Sequence, residues 1–172
     1  RGDVIEVLDK LKREGKAQFI GISTRGEEAP IAAIESGFFD VIHVAYNILD
    51  QRMTGRVLPL AAERGIGVIN RSVFLKGALT PLRYKLPQPG LGPLVENVRN
   101  VNLSARLYNM SLEELALKFV LAEDAISTSL IGTNNPKHLQ EAVKYAGERG
   151  LSGSMIGKLR NFAINDLNNH KP

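Results

Sequence analysis

Four short apolar runs, each passing at its carboxyl end into a polar loop, constrain this chain more than anything else in it. Ile20-Gly21-Ile22 leads into Ser23-Thr24-Arg25-Gly26, and Val41-Ile42-His43-Val44-Ala45 leads into Tyr46-Asn47. Gly67-Val68-Ile69 leads into Asn70-Arg71-Ser72, and Ser129-Leu130-Ile131 into Gly132-Thr133-Asn134-Asn135. Helical spacing fills the intervals. An antiparallel pair needs only a tight hairpin, so strands separated by helices belong to a parallel sheet. The expected fold is α/β, a parallel (β/α) barrel of TIM type, whose chemistry sits where the strands end. Such a barrel takes about eight units and about 250 residues. The 172 residues here hold four, so the expectation is a half-barrel forming a single domain over 1–172.

The elements follow in order. Asp3 to Glu14 places Val4, Ile5, Val7, Leu8 and Leu11 at helical spacing and closes on Gly15, so the chain is expected to open inside a repeat. Ala17 to Ile22 reads as the first strand, Glu27 to Ser36 as a helix stopped by Gly37, and Asp40 to Ala45 as the second strand. Thr54 to Arg64 reads as the next crossover helix and Gly67 to Ile69 as the third strand. Arg71 to Gly92 holds Gly77, Pro81, Pro87, Pro89, Gly90 and Gly92, which argues against regular structure and marks a long loop over a ligand. A helix is expected from Pro93 to Tyr108, and Ser111-Leu112-Glu113-Glu114 is a capping box opening a helix to Ala122. Thr128 to Ile131 is the fourth strand, Asn134-Asn135-Pro136 starts a helix ending near Gly147, and a last helix runs from Ser152 to about Asn168 before a polar tail.

Composition removes several classes of function. Hydrophobic residues at 44% and charged ones at 23% fit a folded core and exclude disorder as the default. The net charge of +4 comes from 22 basic and 18 acidic residues with no run of five like charges, which speaks against nucleic-acid and membrane partners. The absence of cysteine excludes a disulfide scaffold, a thiolate nucleophile and a cysteine zinc site. No stretch approaches the roughly 20 apolar residues of a membrane span. A cytoplasmic protein is the expectation.

Four blocks then carry a family resemblance. Gly15-Lys16 with Phe19-Ile20-Gly21-Ile22-Ser23, Val44-Ala45-Tyr46-Asn47, Gly65 to Ser72 with Gly77-Ala78-Leu79-Thr80, and Ile131 to Glu141 resemble, in order, segments of the aldo-keto reductases. They match the second half of that family's barrel, its last four units with extra C-terminal helices. The resemblance implies hydride transfer between NADP (NADPH) and an aldehyde or ketone, NAD not being excluded. Ser23 is similar to the family serine that bonds the nicotinamide carboxamide, Thr24 replaces its usual asparagine neighbour, and His43 stands where the family has glutamine. Period-two alternation puts His43 on the face opposite Ile42 and Val44, inside the barrel. Arg71 occupies the position of a planar side chain stacked on the nicotinamide. Ser72, Val73, Phe74, Lys76 and Gly77 correspond to the loop over the pyrophosphate. Gly132, Thr133 and Asn134 match the loop holding the adenosine phosphate, His138 a position often filled by arginine or glutamine, and Glu141 an adenine contact. Ala142 departs from the family's adenine-binding asparagine.

Plainer structural roles stand beside these. Ser23-Thr24 also reads as a helix cap before Glu27, His43 as a core histidine bonded to backbone, and Arg71 as a salt-bridge partner. Asn134-Asn135-Pro136 is an ordinary turn and helix start, and His138 a solvated side chain. Gly65-Ile66-Gly67 is no dinucleotide loop, because it precedes its strand and a Rossmann loop follows one. The family's catalytic tetrad of aspartate, tyrosine, lysine and histidine comes from the first half of the barrel, and none of its positions maps onto this sequence. No paired carboxylates, nucleophile with base, or metal-ligand cluster offers another reaction. The expected partners are a small carbonyl substrate and the missing N-terminal half-barrel. A self-standing, non-catalytic half-barrel that binds a nucleotide or pairs as a homo-oligomer is the alternative.

Overall fold

The computed structural model describes residues 2–82 and 92–164. Its strands are β1 (Gly21–Ser23), β2 (Val41–Ala45), β3 (Gly67–Arg71) and β4 (Thr128–Ser129). They form one sheet in the order β1-β2-β3-β4, every neighbouring pair parallel. The described helices are α1 (Gly2–Arg13), α2 (Glu28–Glu35), α3 (Val57–Glu63), α4 (Gly92–Leu107), α5 (Leu112–Leu121), α6 (Pro136–Gly147) and α7 (Gly153–Arg160). The parallel α/β architecture is the one the strand and helix spacing requires.

Among the described residues one face of the sheet is covered by helices and the other is half-open. Along β2 and β3 burial alternates, with Ile42, Val44, Val68 and Asn70 buried while Val41, His43, Ala45, Gly67, Ile69 and Arg71 remain half-open. The buried set faces the helices. There α2 packs on β2 and α3 on β3, bringing Ile31, Ile34, Val57, Leu58 and Ala61 into the core. Farther along, Tyr46 stacks on Phe119 of α5, ring centroids 5.7 Å apart and planes at 21°. Each such large apolar side chain contributes about 1.5–3 kcal/mol by leaving water. The half-open set forms the opposite face.

Several boundaries differ from the sequence reading, each for a local reason. β1 is only three residues long, because Ile20 O accepts both Asp40 N (2.8 Å) and Val41 N (3.2 Å), so regular pairing starts one residue later. β3 runs to Arg71, two residues past expectation, since Ala45 still pairs with it. β4 stops at Ser129 after pairing with β3 alone. The expected helix from Thr54 is split into a 3-10 turn, Arg52–Thr54, and α3, with Gly55 and Arg56 between. α7 ends at Arg160 instead of near Asn168, because the following chain turns back and Ile164 N donates to Leu49 O at 2.8 Å. The expected polar tail lies outside the described residues, as does most of the second half of the Arg71–Gly92 loop; its first half contains a 3-10 turn at Leu75–Gly77.

Candidate functional site

The carboxyl ends of the strands are drawn together by side chains of the loops that follow them. Asn47, fully buried, donates from Nδ2 to Ser72 O (3.1 Å) and accepts Leu49 N (3.0 Å) and Asp50 N (2.9 Å) on Oδ1. It fastens the β2 loop to the β3 loop. Asn70, also fully buried, accepts Tyr46 N on Oδ1 at 2.8 Å, while its Nδ2 and the Ser129 hydroxyl stay buried without partners. Both asparagines stand at the polar strand ends within the family-like blocks, but the sequence alone assigns neither of them a role. The available signal was an amide side chain in an otherwise apolar stretch, where a buried polar group must find a backbone partner.

Within this frame Ser23, His43 and Ile69 lie in one register row across β1, β2 and β3, and Arg71 lies one strand period beyond Ile69 on the same open face. The Arg71 guanidinium reaches past β2: Nη2 donates to Thr24 O at 2.9 Å and Nη1 lies 3.4 Å from the Ser72 hydroxyl. No carboxylate pairs with it among the described residues, where its hydrogen bonds go to Thr24 O and the Ser72 hydroxyl. Thr24 is buried, its N–H bonded to His43 O (3.0 Å). It does not cap α2, whose first turn follows Glu27 with no side-chain cap.

His43 has no backbone bond through Nε2. That nitrogen is buried and unpartnered, on the face that no described element covers. Burial first, and then the positive charge of Arg71, push its imidazole below the ordinary histidine value, so the ring is neutral at neutral pH. A neutral imidazole offers one donor and one acceptor, and a buried polar atom without a partner calls for a ligand or ordered water.

The loop after β3 is held in unusual geometry. Ser72 (φ 64°), Leu75 (φ 43°) and Lys76 (φ 53°) join Gly77 (φ 92°) in the left-handed region. Each non-glycine residue there costs on the order of 1–2 kcal/mol, which the surrounding bonds must offset. Leu75 N donates to Ser72 O and Gly77 N to Phe74 O, both at 2.9 Å. The Val73 side chain is buried in the core, Phe74 packs partly against it, and Lys76 is exposed.

At the fourth edge Gly132, Thr133, Asn134, His138 and Glu141 are all exposed. Asn135, not Asn134, caps α6, its Oδ1 accepting Lys137 N at 3.1 Å. Asn135 Nδ2 lies 3.2 Å from His138 Nε2, so that nitrogen accepts and Nδ1 carries the proton toward Thr133 Oγ1 at 3.2 Å. No hydrogen bond among the described residues links this cluster to His43 or Arg71. Ala142 is buried against the core, so its side chain faces away from the exposed Glu141 beside it. The hollow lined by Thr54, Leu58, Pro59, Ala62 and Glu123 to Ala125 is on the outer helical layer and contains none of these residues. Among the described residues no cluster of acidic residues and histidines can hold a metal, and no helix is long and apolar enough to cross a membrane.

An open arc of parallel strands, helices on its outside and polar groups gathered where its strands end, defines a protein of the (β/α)-barrel class. Residues 2–164 match the model of the Aldo/keto reductase family, and the chain belongs to that oxidoreductase family. It is 29% identical over 146 residues to D-threo-aldose 1-dehydrogenase of Pseudomonas sp, covering 81% of this chain and 44% of that protein. It is 25% identical over 154 residues to the NADH-specific methylglyoxal reductase of Escherichia coli, covering 82% and 47%. An aldo-keto reductase of Bacillus halodurans, solved in apo and holo forms, superposes with a TM-score of 0.79 at 26% identity over 93% of this chain; in the apo form this is 56% of that chain. The chain therefore spans about half the length of the relatives it matches.

Proposed function

We propose that this chain is the C-terminal, cofactor-holding half of an NADP-dependent aldo-keto reductase acting on an aldehyde or ketone. The observation that carries the reading is the buried, unpartnered Nε2 of His43 on the open face, in one row with the Ser23 hydroxyl and one strand period from the anchored Arg71. These groups fit a nicotinamide: an amide has a donor and an acceptor for the imidazole and the hydroxyl, and a guanidinium stacks on a planar ring. When bound, the cofactor supplies the hydride. The residues of this chain orient it. Ser23 and His43 hold the carboxamide end, with buried Thr24 anchoring Arg71 through its carbonyl; Arg71 lies along the ring, Ser72, Val73 and Phe74 offer backbone N–H groups and Lys76 its exposed ammonium to the phosphates, and Gly77, whose own N–H is bonded to Phe74 O, turns the loop. Gly132, Thr133, Asn134, His138 and Glu141 serve the adenosine end. Because Ala142 turns into the core and one relative is NADH-specific by name, NAD remains a cofactor to test beside NADP.

The catalytic tetrad belongs to an N-terminal half-barrel that closes the arc. The test is to express the natural reading frame and the 172-residue chain side by side. Carbonyl-dependent NADPH oxidation by the longer protein and none by the chain alone is expected. Turnover by the chain alone would place the acid within it and overturn the division of labour. A second reading, a non-catalytic half-barrel that pairs with a copy of itself, is favoured by the exposed apolar residues at both open ends, Val4 and Val7 on α1 and Leu139 and Val143 on α6. A start codon directly before Arg1, with a stable dimer that oxidises no NADPH, would select it.

A further inference from the structure

The open face carries a titratable group where an uncharged amide would position a ligand equally well, and this has a consequence for which redox form of the cofactor is held. Resting on the cofactor reading above, we propose that His43 is a charge-sensitive cofactor contact: neutral, it accepts both redox forms, and protonated, it disfavours the oxidised, positively charged nicotinamide ring more than the reduced, neutral one. The geometry supplies the conditions. Nε2 is buried without a partner, so no hydrogen bond at that nitrogen fixes the ring's state. The neighbouring strands present Ser23 and Ile69 in its own row and Arg71 one period on, while Val41 and Ala45 flank it on β2. The only charge acting appreciably on it from these elements is the Arg71 guanidinium, which Thr24 O holds in place. A proton on His43 thus adds a second positive charge beside Arg71, with no carboxylate among the described residues acting on it. A third positive charge, the oxidised ring, is repelled by the pair, the more so as the bound ring displaces water from them.

The same argument runs in the other direction by linkage. Bound oxidised cofactor must lower the His43 affinity for protons more than bound reduced cofactor does. As pH falls through the range where His43 charges, the preference for the reduced form rises. The two forms carry the same phosphates, so titration of those groups cancels in the ratio of their affinities. The ratio isolates the nicotinamide end.

The experiment measures dissociation constants of NADP+ and NADPH by rapid-mixing fluorescence from about pH 7.5 to about pH 5, on the protein encoded by the natural reading frame, unmodified and as His43→Gln. In the unmodified protein the ratio of the NADP+ constant to the NADPH constant should rise about tenfold, equivalent to one unit of differential proton affinity, and in His43→Gln it should stay flat. A ratio that rises equally in both proteins, or in neither, overturns this inference and leaves the cofactor reading standing. Binding of neither cofactor at any pH overturns both. Should His43→Gln fail to fold, the imidazole resonances of the unmodified protein decide: NADP+ must move the His43 titration to lower pH than NADPH does, and equal titration in the two complexes overturns the proposal.

Discussion

At the scale of single residues, Arg71 is the side chain on which the open face depends most. One donor, to Thr24 O, links the end of β3 to the loop after β1 across the intervening β2, and the planar group lies beside the neutral His43. Replacing it by alanine removes that bridge and the charge-assisted contacts open to a bound dinucleotide. Arg71→Ala is expected to weaken NADPH binding by about 1–3 kcal/mol, read as a rise in the dissociation constant by fluorescence titration. Unchanged affinity would remove Arg71 from the site. The family resemblance made Arg71 and His43 visible, and strand alternation gave His43 its face, while Arg71 reads from the sequence as the start of a loop. The sequence did not reveal that Arg71 bonds to a backbone carbonyl rather than to a carboxylate, since that choice depends on which loop lies across the sheet. The roles of Asn47 and Asn70 were missed for the same reason: their bonds to Ser72 O and Tyr46 N join segments about two dozen residues apart.

Between elements, the opposite edge of the sheet is fastened by Asp40. Its carboxylate takes Lys12 Nζ of α1 at 2.7 Å on each oxygen and Ile20 N at 2.8 Å, so one side chain joins α1, the entry to β1 and the entry to β2. The Lys12 hydrogen bond first, and then that of the Ile20 N–H, hold its carboxyl below the ordinary aspartate value. A group whose folded value is lowered stabilises the fold above its unfolded value, about pH 4, and that contribution fades as pH falls through the folded value. The side chains are 29% and 41% exposed, so solvent screening keeps the effect small. Asp40→Asn should lose about 1 kcal/mol at neutral pH, a difference that shrinks steadily as pH falls below about 4, measured by chemical denaturation across that range. A constant difference would mean that the loss is one of shape rather than charge. Capping boxes and glycine stops were local enough to read: Ser111 accepts Glu114 N at 3.0 Å, and Gly37 and Gly65 both follow their helices at positive φ. The lengths of β1 and β4 were not, because each edge strand ends where its single neighbour stops pairing, and nothing local encodes that.

For the whole molecule, the arc is finished on its outside and unfinished at its ends. Among the described residues α1 exposes Val4 (64%) and Val7 (57%), and past β4 the chain exposes Leu130 (52%), Leu139 (53%) and Val143 (66%). Scattered exposed apolar side chains are ordinary, but these fall on the two flanks where a closed barrel would set its next units, beside edge strands whose outer backbone pairs with no described strand. Closed barrels have no such edges. The 172-residue chain on its own is therefore expected to associate or to bind an apolar dye, and Leu139→Lys with Val143→Glu should reduce that behaviour without altering its circular dichroism. The same pair of substitutions in the protein of the natural reading frame has the opposite meaning. If an N-terminal half covers α6, Leu139 and Val143 are interior there, and charging them should lower the thermal midpoint by roughly 5 °C or more, the shift that about 2 kcal/mol produces in a domain of this larger size. Improved solubility of the chain together with an unchanged midpoint of the longer protein would show that the flank faces water in both, and the arc would then have to be closed from the β1 side alone, which a ring of strands does not permit.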